Sequence, residues 1–278
     1  MLRKIKKRLS LAWRMFKYKR TLTRLNMDLL TQYRDLGEVE LSEIRQLFAR
    51  LKPVKCKTPL VRIGSDYDGG YLLADDFKNL TGSFSPGVSD TLDFDLAIAE
   101  KGIPCFLADA SIDGLTTEHT LFDFEKKFLG GHTSGEFMTF DDWMDRKAPA
   151  HGDLLLQMDI EGAEFEVVAH CKSETLKRFR QIAIEVHNAD MVVSREGFVR
   201  FSALLDSLLE HHNIIHIHNN NSAPLAHIES LEFSRVFELT LLRHDRLDEG
   251  TSDIAPIPHP LDARCVPKLP DFHMPITW

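Results

Sequence analysis

The sequence predicts an α/β protein with a mostly parallel sheet and helices on both faces. Three observations predict it. From residue 81 onward, short apolar runs alternate with helix-like periodic stretches, the pattern of consecutive strand–helix units. The run Leu154–Met158 (LLLQM) is short, flanked by turn formers and not amphipathic, as a strand buried on both faces reads. That run ends in Asp159-Ile160-Glu161-Gly162, and two later runs also end in polar groups. In open α/β sheets, ligands sit just beyond the carboxyl ends of the strands.

Taken in order, Glu40–Lys52 reads as an amphipathic helix, with Leu41, Ile44, Phe48 and Leu51 on one face and Lys52-Pro53 ending it. In Leu60–Ala74, two short apolar runs flank SDYDGG, which is turn chemistry and suits a β-hairpin with a long, acidic turn. Gly82–Ser85 is a strand followed by the turn Pro86–Asp90, and Leu92–Lys101 a helix. Ile103–Ala108 is a strand ending in Asp109. Residues 113–135 are polar and glycine-bearing and carry no clear period. Thr139 opens a short helix at TFDDWM. Ala163–Ala169 and Phe198–Glu210 are helices; Ile182–Val186, Ile214–Ile217 and Arg235–Leu242 are strands. His211 and His212 read as solvent-facing after the 198–210 helix. The tail from Asp248, rich in Pro and Asp, reads as extended and surface-bound.

Composition bounds the function. The chain has 278 residues, 43% of them apolar, enough for a substantial core. Its four cysteines form no CxxC pair, so reduced thiols in a cytoplasmic protein are expected. Charge is uneven: residues 1–27 hold ten Lys/Arg and no acid, leaving 24 basic against 42 acidic residues in the remainder. An acidic body argues against nucleic acid as a partner. The arm places Leu2, Ile5, Leu9, Ala12 and Phe16 at helical spacing, with Trp13 beside them. Such a helix can lie on an anionic membrane surface, or pack on the acidic body or a partner subunit, so an oligomer is compatible. No segment reaches the ~18 apolar residues of a spanning helix, and the N-terminus lacks the apolar core of a signal peptide. The expected organisation is a basic amphipathic helix over residues 1–35 and one domain with an extended tail over 36–278. The expected location is cytoplasmic, peripheral on the inner membrane face through residues 1–27.

Three constellations carry chemistry. The turn at Gly87 lets a ligand approach the backbone ahead of a helix N-terminus. Asp109 follows 22 residues later, the usual distance for a carboxylate gripping ribose hydroxyls, although it could instead cap a helix. The turn is not GxGxxG, so the NAD fingerprint is absent. Asp159 and Glu161 open the helix at 163. IAIEVHN brings Glu185 and His187 to a strand end, and IIHIHNN brings His216, His218 and Asn219. If these strands are neighbours, carboxylate and imidazole converge on one pocket, which suits a general base or a divalent metal. Asp159, Glu185 and His218 are the candidate metal ligands.

These motifs together resemble the FkbM family of S-adenosylmethionine-dependent methyltransferases over roughly residues 60–243. VRIGSDYDGGYLL, SFSPGVSDTLDFD, CFLADAS, LLLQMDIEGAEFEVV and IAIEVH carry the resemblance, and the DIEGAE box is its most specific part. It implies the class I methyltransferase fold, a Rossmann-like seven-stranded sheet with the last strand antiparallel. Gly87 and Ser89 would then lie at the cofactor's methionine end, Asp109 at its ribose and Asp141 or Asp142 near its adenine. Arg62 or Asp68 would help close the pocket, and Asp159 would sit beside the sulfonium and the acceptor. Metal-dependent O-methyltransferases present Asp-Asn at the next strand end, whereas this chain presents Glu185-Val186-His187-Asn188.

The expected activity is O-methylation of a sugar hydroxyl on a surface polysaccharide or glycolipid. His187 or His218 would act as base, with Asp159 or Glu185 orienting it or binding a metal (Mg or Mn) with it. The alternatives are a metal-dependent hydrolase using the same polar strand ends, and a non-catalytic scaffold that binds membranes or a partner through residues 1–27 and does not need Asp159 or His218. Co-sedimentation with anionic liposomes tests the arm: the full chain is expected to pellet, and a chain lacking residues 1–27 to stay in the supernatant. Equal partitioning would exclude the membrane role.

Overall fold

The computed structural model describes residues 39–88, 91–228, 230–248 and 253–271. The basic arm therefore lies outside the described residues, as do Ser89 and Asp90. Among the described residues, no helix is long and apolar enough to cross a membrane.

Helix α1 (Leu41–Ala49) precedes the hairpin of β1 (Leu60–Gly64) and β2 (Gly70–Ala74). The body then alternates. Strand β3 (Leu80–Pro86) leads to α2 (Asp93–Ala99), and β4 (Cys105–Ala108) to β5 (Phe122–Glu125). A small pair, β6 (Phe128–Leu129) and β7 (Phe137–Met138), precedes α3 (Phe140–Lys147). Next come β8 (Asp153–Met158), α4 (Glu164–Ala169), α5 (Ser173–Lys177), β9 (Phe179–Val186), α6 (Arg195–Leu209) and β10 (His212–Asn219). A hairpin, β11 (Leu225–Ile228) and β12 (Leu231–Ser234), leads to β13 (Phe237–Arg243).

The main sheet has seven strands in the order β10-β13-β9-β8-β3-β4-β5. β5, β4, β3, β8 and β9 are parallel, and β13 runs antiparallel between β9 and β10. Counted along the chain, the parallel strands lie 3-2-1-4-5, the doubly wound order with its switch point between the first and fourth strands, here β3 and β8. The fold is thus a mixed α/β, Rossmann-like arrangement.

Alternation along the strands sorts the two faces. Leu154, Leu156 and Met158 of β8, and Ile182, Ile184 and Val186 of β9, join the core beneath α1, α3, α4 and α6. Leu155 and Ala183 point the other way, toward α2 and the β1–β2 hairpin. The first face is built around Phe84, whose ring lies 4.9 Å from Trp143 and 4.8 Å from Phe106. Helix ends follow the sequence: Thr139 and Ser194 accept the Asp142 and Gly197 amides as N-caps.

One expectation fails, for a tertiary reason. His212 is not solvent-facing but fully buried, its Nε2–H donating to the Phe179 carbonyl at 2.7 Å. Burial lowers its pKa to about 4, so it is a neutral imidazole. The tail from 253 is extended and surface-bound as expected, and among its described residues only Cys265 is buried. Lys55 donates to the Asp253 carbonyl at 2.7 Å, and Val54 bridges Ile254. In β10 the register shifts between Ile214 and His216. This bulge sends Ile214 and Ile217 to the helix-covered core and Ile215 to a separate apolar cluster with Ala74 and Leu242.

The amino ends of β8 and β9 are locked by charge. Arg180, 6% exposed, places Nε 2.8 Å from Asp153 and Nη1 3.0 Å from Asp76, and donates to the Lys78 carbonyl at 2.9 Å. Arg243, at the end of antiparallel β13, reaches the other Asp153 oxygen at 2.8 Å. Burial opposes the charge of Asp153, but the two guanidiniums outweigh it and hold its carboxyl below the usual range. Replacing Arg180 by Met removes its bonds to Asp153, Asp76 and the Lys78 carbonyl, but Asp153 keeps Arg243 and Asp76 keeps Arg246, so the cost is about 1–3 kcal/mol. Urea denaturation of Arg180→Met should show a loss of that size, and a loss under about 1 kcal/mol would reduce the network to packing.

Candidate functional site

A cavity of about 420 Å³ opens at the switch point between β3 and β8. Its walls come from the carboxyl ends of three parallel strands: Gly87 after β3, Asp109 after β4, and Asp159 and Glu161 after β8. Asp68 and Gly69, in the turn of the β1–β2 hairpin, close another side. Phe128 and Phe137 stand at the rim, 37% and 43% exposed, with ring centroids 5.7 Å apart.

Gly87 has a structural task beyond ligand approach. Its φ is +87°, and a Cβ there would fall 1.7 Å from the Asp159 carbonyl oxygen. The loops after β3 and β8 are in contact, and only glycine leaves room for it. The Gly87 amide donates to the Ala108 carbonyl at 2.9 Å, and the Asp159 amide to the Pro86 carbonyl at 3.3 Å. Asp109 is buried, and its Oδ1 accepts the Ser111 amide at 2.7 Å. This is a local turn bond, and no helix follows that Asp109 could cap. Polar groups also back the cavity: the Ser85 hydroxyl donates to Gln157 Oε1 at 3.0 Å, and Gln157 Nε2 donates to the Tyr71 hydroxyl at 3.2 Å. Beside them, burial pushes the Asp95 carboxyl up to about 7.

The DIEGAE box folds around Glu164. This residue is 0% exposed, and its Oε1 accepts the Ile160 and Gly162 amides, both at 3.2 Å. The same oxygen takes the Nδ1 proton of His187 at 2.9 Å. A carboxylate can only accept here, so Nδ1 carries the hydrogen and Nε2 is left to face the site. His187 Nε2 lies 3.7 Å from Asp159 Oδ1, 3.7 Å from Glu161 Oε2 and 3.5 Å from Glu185 Oε1. Glu161 and Asn188, beside this cluster, both hold left-handed backbone, at φ +56° and +53°. Such strain in non-glycine residues collects at functional sites.

The cluster's electrostatics follow from its enclosure. Burial opposes the charge of His187, but the Glu164 hydrogen bond and the carboxylates of Glu164, Asp159 and Glu161 outweigh it, so the imidazole sits above its ordinary value. Burial raises Asp159, and the neighbouring carboxylates add to the rise against the opposing pull of His187. Glu185 is raised by burial, by Asp159 and by Glu238, and Asn220 donates to its Oε1 at 2.8 Å. The Asp68 carboxyl faces Glu238 and Glu161, and desolvation together with those charges pushes it up.

The expected site residues divide. Asp159, Glu185 and His187 come together, joined by Glu161, while Gly87, Asp68 and Asp109 line the cavity. Arg62 does not line it; Nε donates to the Ser65 carbonyl and Nη2 to the Tyr67 carbonyl, both at 2.8 Å, which braces the hairpin turn. Asp142 is exposed at the start of α3, bonded to Thr133, and lies outside the cavity lining. Asp141 accepts from Thr175 and the Lys172 amide instead. His218 is not in the convergent group, because β13 lies between β9 and β10. The metal set Asp159–Glu185–His218 is therefore replaced by two separate groups, Asp159–Glu161–His187 and His218–Glu238–Cys265. Sequence reading missed Glu164, taken only as part of a helix start, and the Ser85–Gln157–Tyr71 chain. The available signal for the latter was a lone Gln in an apolar strand.

Compared with known family models and with curated proteins, the chain matches none.

Changing Glu164 to Gln keeps an acceptor oxygen but removes the charge. The His187 pKa, followed by proton NMR, should fall by about one pH unit, since Asp159 and Glu161 alone then oppose the burial penalty. In the native protein, the raised value favours folding below about pH 6.5 and loses that contribution as pH climbs through it. The variant should lose this pH dependence. An unchanged His187 titration would remove Glu164 from its positioning role.

Proposed function

We propose that the protein is an S-adenosylmethionine-dependent O-methyltransferase of the FkbM kind, acting on a sugar hydroxyl of a surface polysaccharide or glycolipid. One observation carries the reading: the cavity at the switch point has the Gly87 turn, the buried Asp109 carboxylate and Asp159 on its walls. A carboxylate at the end of the second strand suits a ribose diol. Val88, Phe94, Leu129 and Ile160 supply apolar surface for the rest of a nucleoside. Antiparallel β13, the last strand of the sheet, agrees with what the resemblance implies.

When bound, S-adenosylmethionine supplies a methyl group on a sulfonium, already activated for transfer. The chain then has to hold the acceptor hydroxyl in line and remove its proton. Asp159 lines the cavity and His187 does not, so Asp159 is the group that meets the acceptor. Its raised pKa tunes it toward neutrality as a base. His187 stands behind it, fixed by Glu164, and tempers the charge of the three surrounding carboxylates. The rim aromatics Phe128 and Phe137 offer faces for a sugar ring.

Ligand atoms of Asp159, Glu161 and His187 lie within 4.8 Å of one another. The Glu164 bond to His187 Nδ1 is the outer-shell contact a metal-binding imidazole needs. A divalent ion held there would act as a Lewis acid on the acceptor oxygen.

Calorimetric titration of the full chain with S-adenosylhomocysteine, with and without Mg²⁺ or Mn²⁺, tests the reading. Binding is expected, weakened at least about tenfold in Asp109→Ala, whose ribose contact would be lost. Absence of binding under every condition would overturn it, and metal binding without nucleoside binding would favour the hydrolase.

A further inference from the structure

The second cluster lies on the neighbouring strands β13 and β10, where the tail meets them. Asn221 clamps the tail there. Its Nδ2 donates to the carbonyls of Val266, Leu269 and Pro270 at 3.1, 3.3 and 3.2 Å, and its Oδ1 accepts the Val266 amide at 2.7 Å. This holds Cys265, 5% exposed, against β13, where Sγ lies 3.4 Å from Glu238 Oε1. The other Glu238 oxygen is 3.4 Å from His218 Nδ1. His218 and Glu238 are register partners on β10 and β13, so both side chains stand on the same face. One ligand atom from each of the three residues lies within 4.8 Å of the others.

We propose that His218, Glu238 and Cys265 form a binding site for one thiophilic divalent cation, with zinc as the type, that ties the tail to the polar face of the sheet. The spacing fits. Zinc–ligand bonds of about 2.0–2.3 Å in tetrahedral geometry set donor atoms roughly 3.3–3.6 Å apart. The donor set fits as well, because thiolate and imidazole with one carboxylate select zinc over magnesium or calcium, which take oxygen.

Two further observations point to a cation. His218 Nε2 is shielded from solvent and has no hydrogen-bond partner among the described residues; its nearest charged neighbour there is Asp271, at 3.9 Å. Glu238 and Glu185 are adjacent in register, both buried, and among the described residues neither pairs with Lys or Arg. Two adjacent buried carboxyls whose nearest cationic groups are imidazoles gain from a divalent charge beside them. Binding replaces the Cys265 S–H bond by a metal–sulfur bond and releases the proton to solvent, so affinity falls as pH falls. The site shares no residue with the Asp159 cluster and stands independently of the methyltransferase reading.

The test uses the full chain equilibrated with zinc, dialysed, and assayed by elemental analysis. About one zinc per chain is expected, retained in Asp159→Asn and lost in Cys265→Ser and His218→Ala. In the cobalt(II)-loaded wild type, a thiolate-to-cobalt charge-transfer band should appear in the near ultraviolet and be absent in Cys265→Ser. Zinc should also raise the wild-type Tm. Absence of both retained zinc and the thiolate band in the wild type overturns the proposal, even if the variants fail to fold. Zinc kept by Cys265→Ser but lost by Asp159→Asn overturns it too, by moving the ion to the other cluster.

Discussion

The loops after β3 and β8 touch at Gly87, and that contact sets the position of everything at the site. With 1.7 Å between a notional Cβ and the Asp159 carbonyl oxygen, no other residue can stand there. Two backbone hydrogen bonds, from Gly87 to Ala108 and from Asp159 to Pro86, stitch the ends of β4, β3 and β8 together. Asp109 and Asp159, 50 residues apart in the chain, therefore share one cavity. The cavity is a property of the switch point, where crossovers leave on opposite sides of the sheet.

Glu164 extends that order outward. A buried carboxylate is expensive unless it is well bonded, and this one gathers two loop amides and the His187 ring. It thereby fixes the turn that presents Asp159 and Glu161 and the tautomer of the imidazole behind them. One side chain accounts for the shape of the DIEGAE turn and for the direction of the His187 titration.

The two ends of the sheet are opposite in electrostatic character. At the amino ends of β8 and β9, Arg180 and Arg243 neutralise Asp153 and Asp76. Antiparallel β13 carries Arg243 to that end and leaves Glu238 at the other. At the carboxyl ends, Asp159, Glu161, Glu185 and Glu238 meet histidines in place of guanidiniums. The first end is an anchor. The second is the one that gains from a cationic ligand or a mobile proton, and both candidate sites lie there.

Much of this was legible in the sequence. The strand at 153–158 follows from its short apolar run, that at 179–186 from the alternation of Ile182, Ile184 and Val186, and α6 from its amphipathic period, because local pattern and burial agree in these elements. β5 was not legible: FDFE is short and half polar, and it becomes a strand only by pairing with β4. The buried state of His212 and Cys265, and the bulge at Ile215, also had no local signal, since packing from distant segments creates them. Of the site, the sequence by itself determined which strand ends carry acids and imidazoles. Only the tertiary structure decided their grouping, because insertion of β13 between β9 and β10 parts His218 from His187 and gives it Glu238 and Cys265 instead. Side-chain period is a local property of a strand, whereas strand order depends on how the crossovers pack.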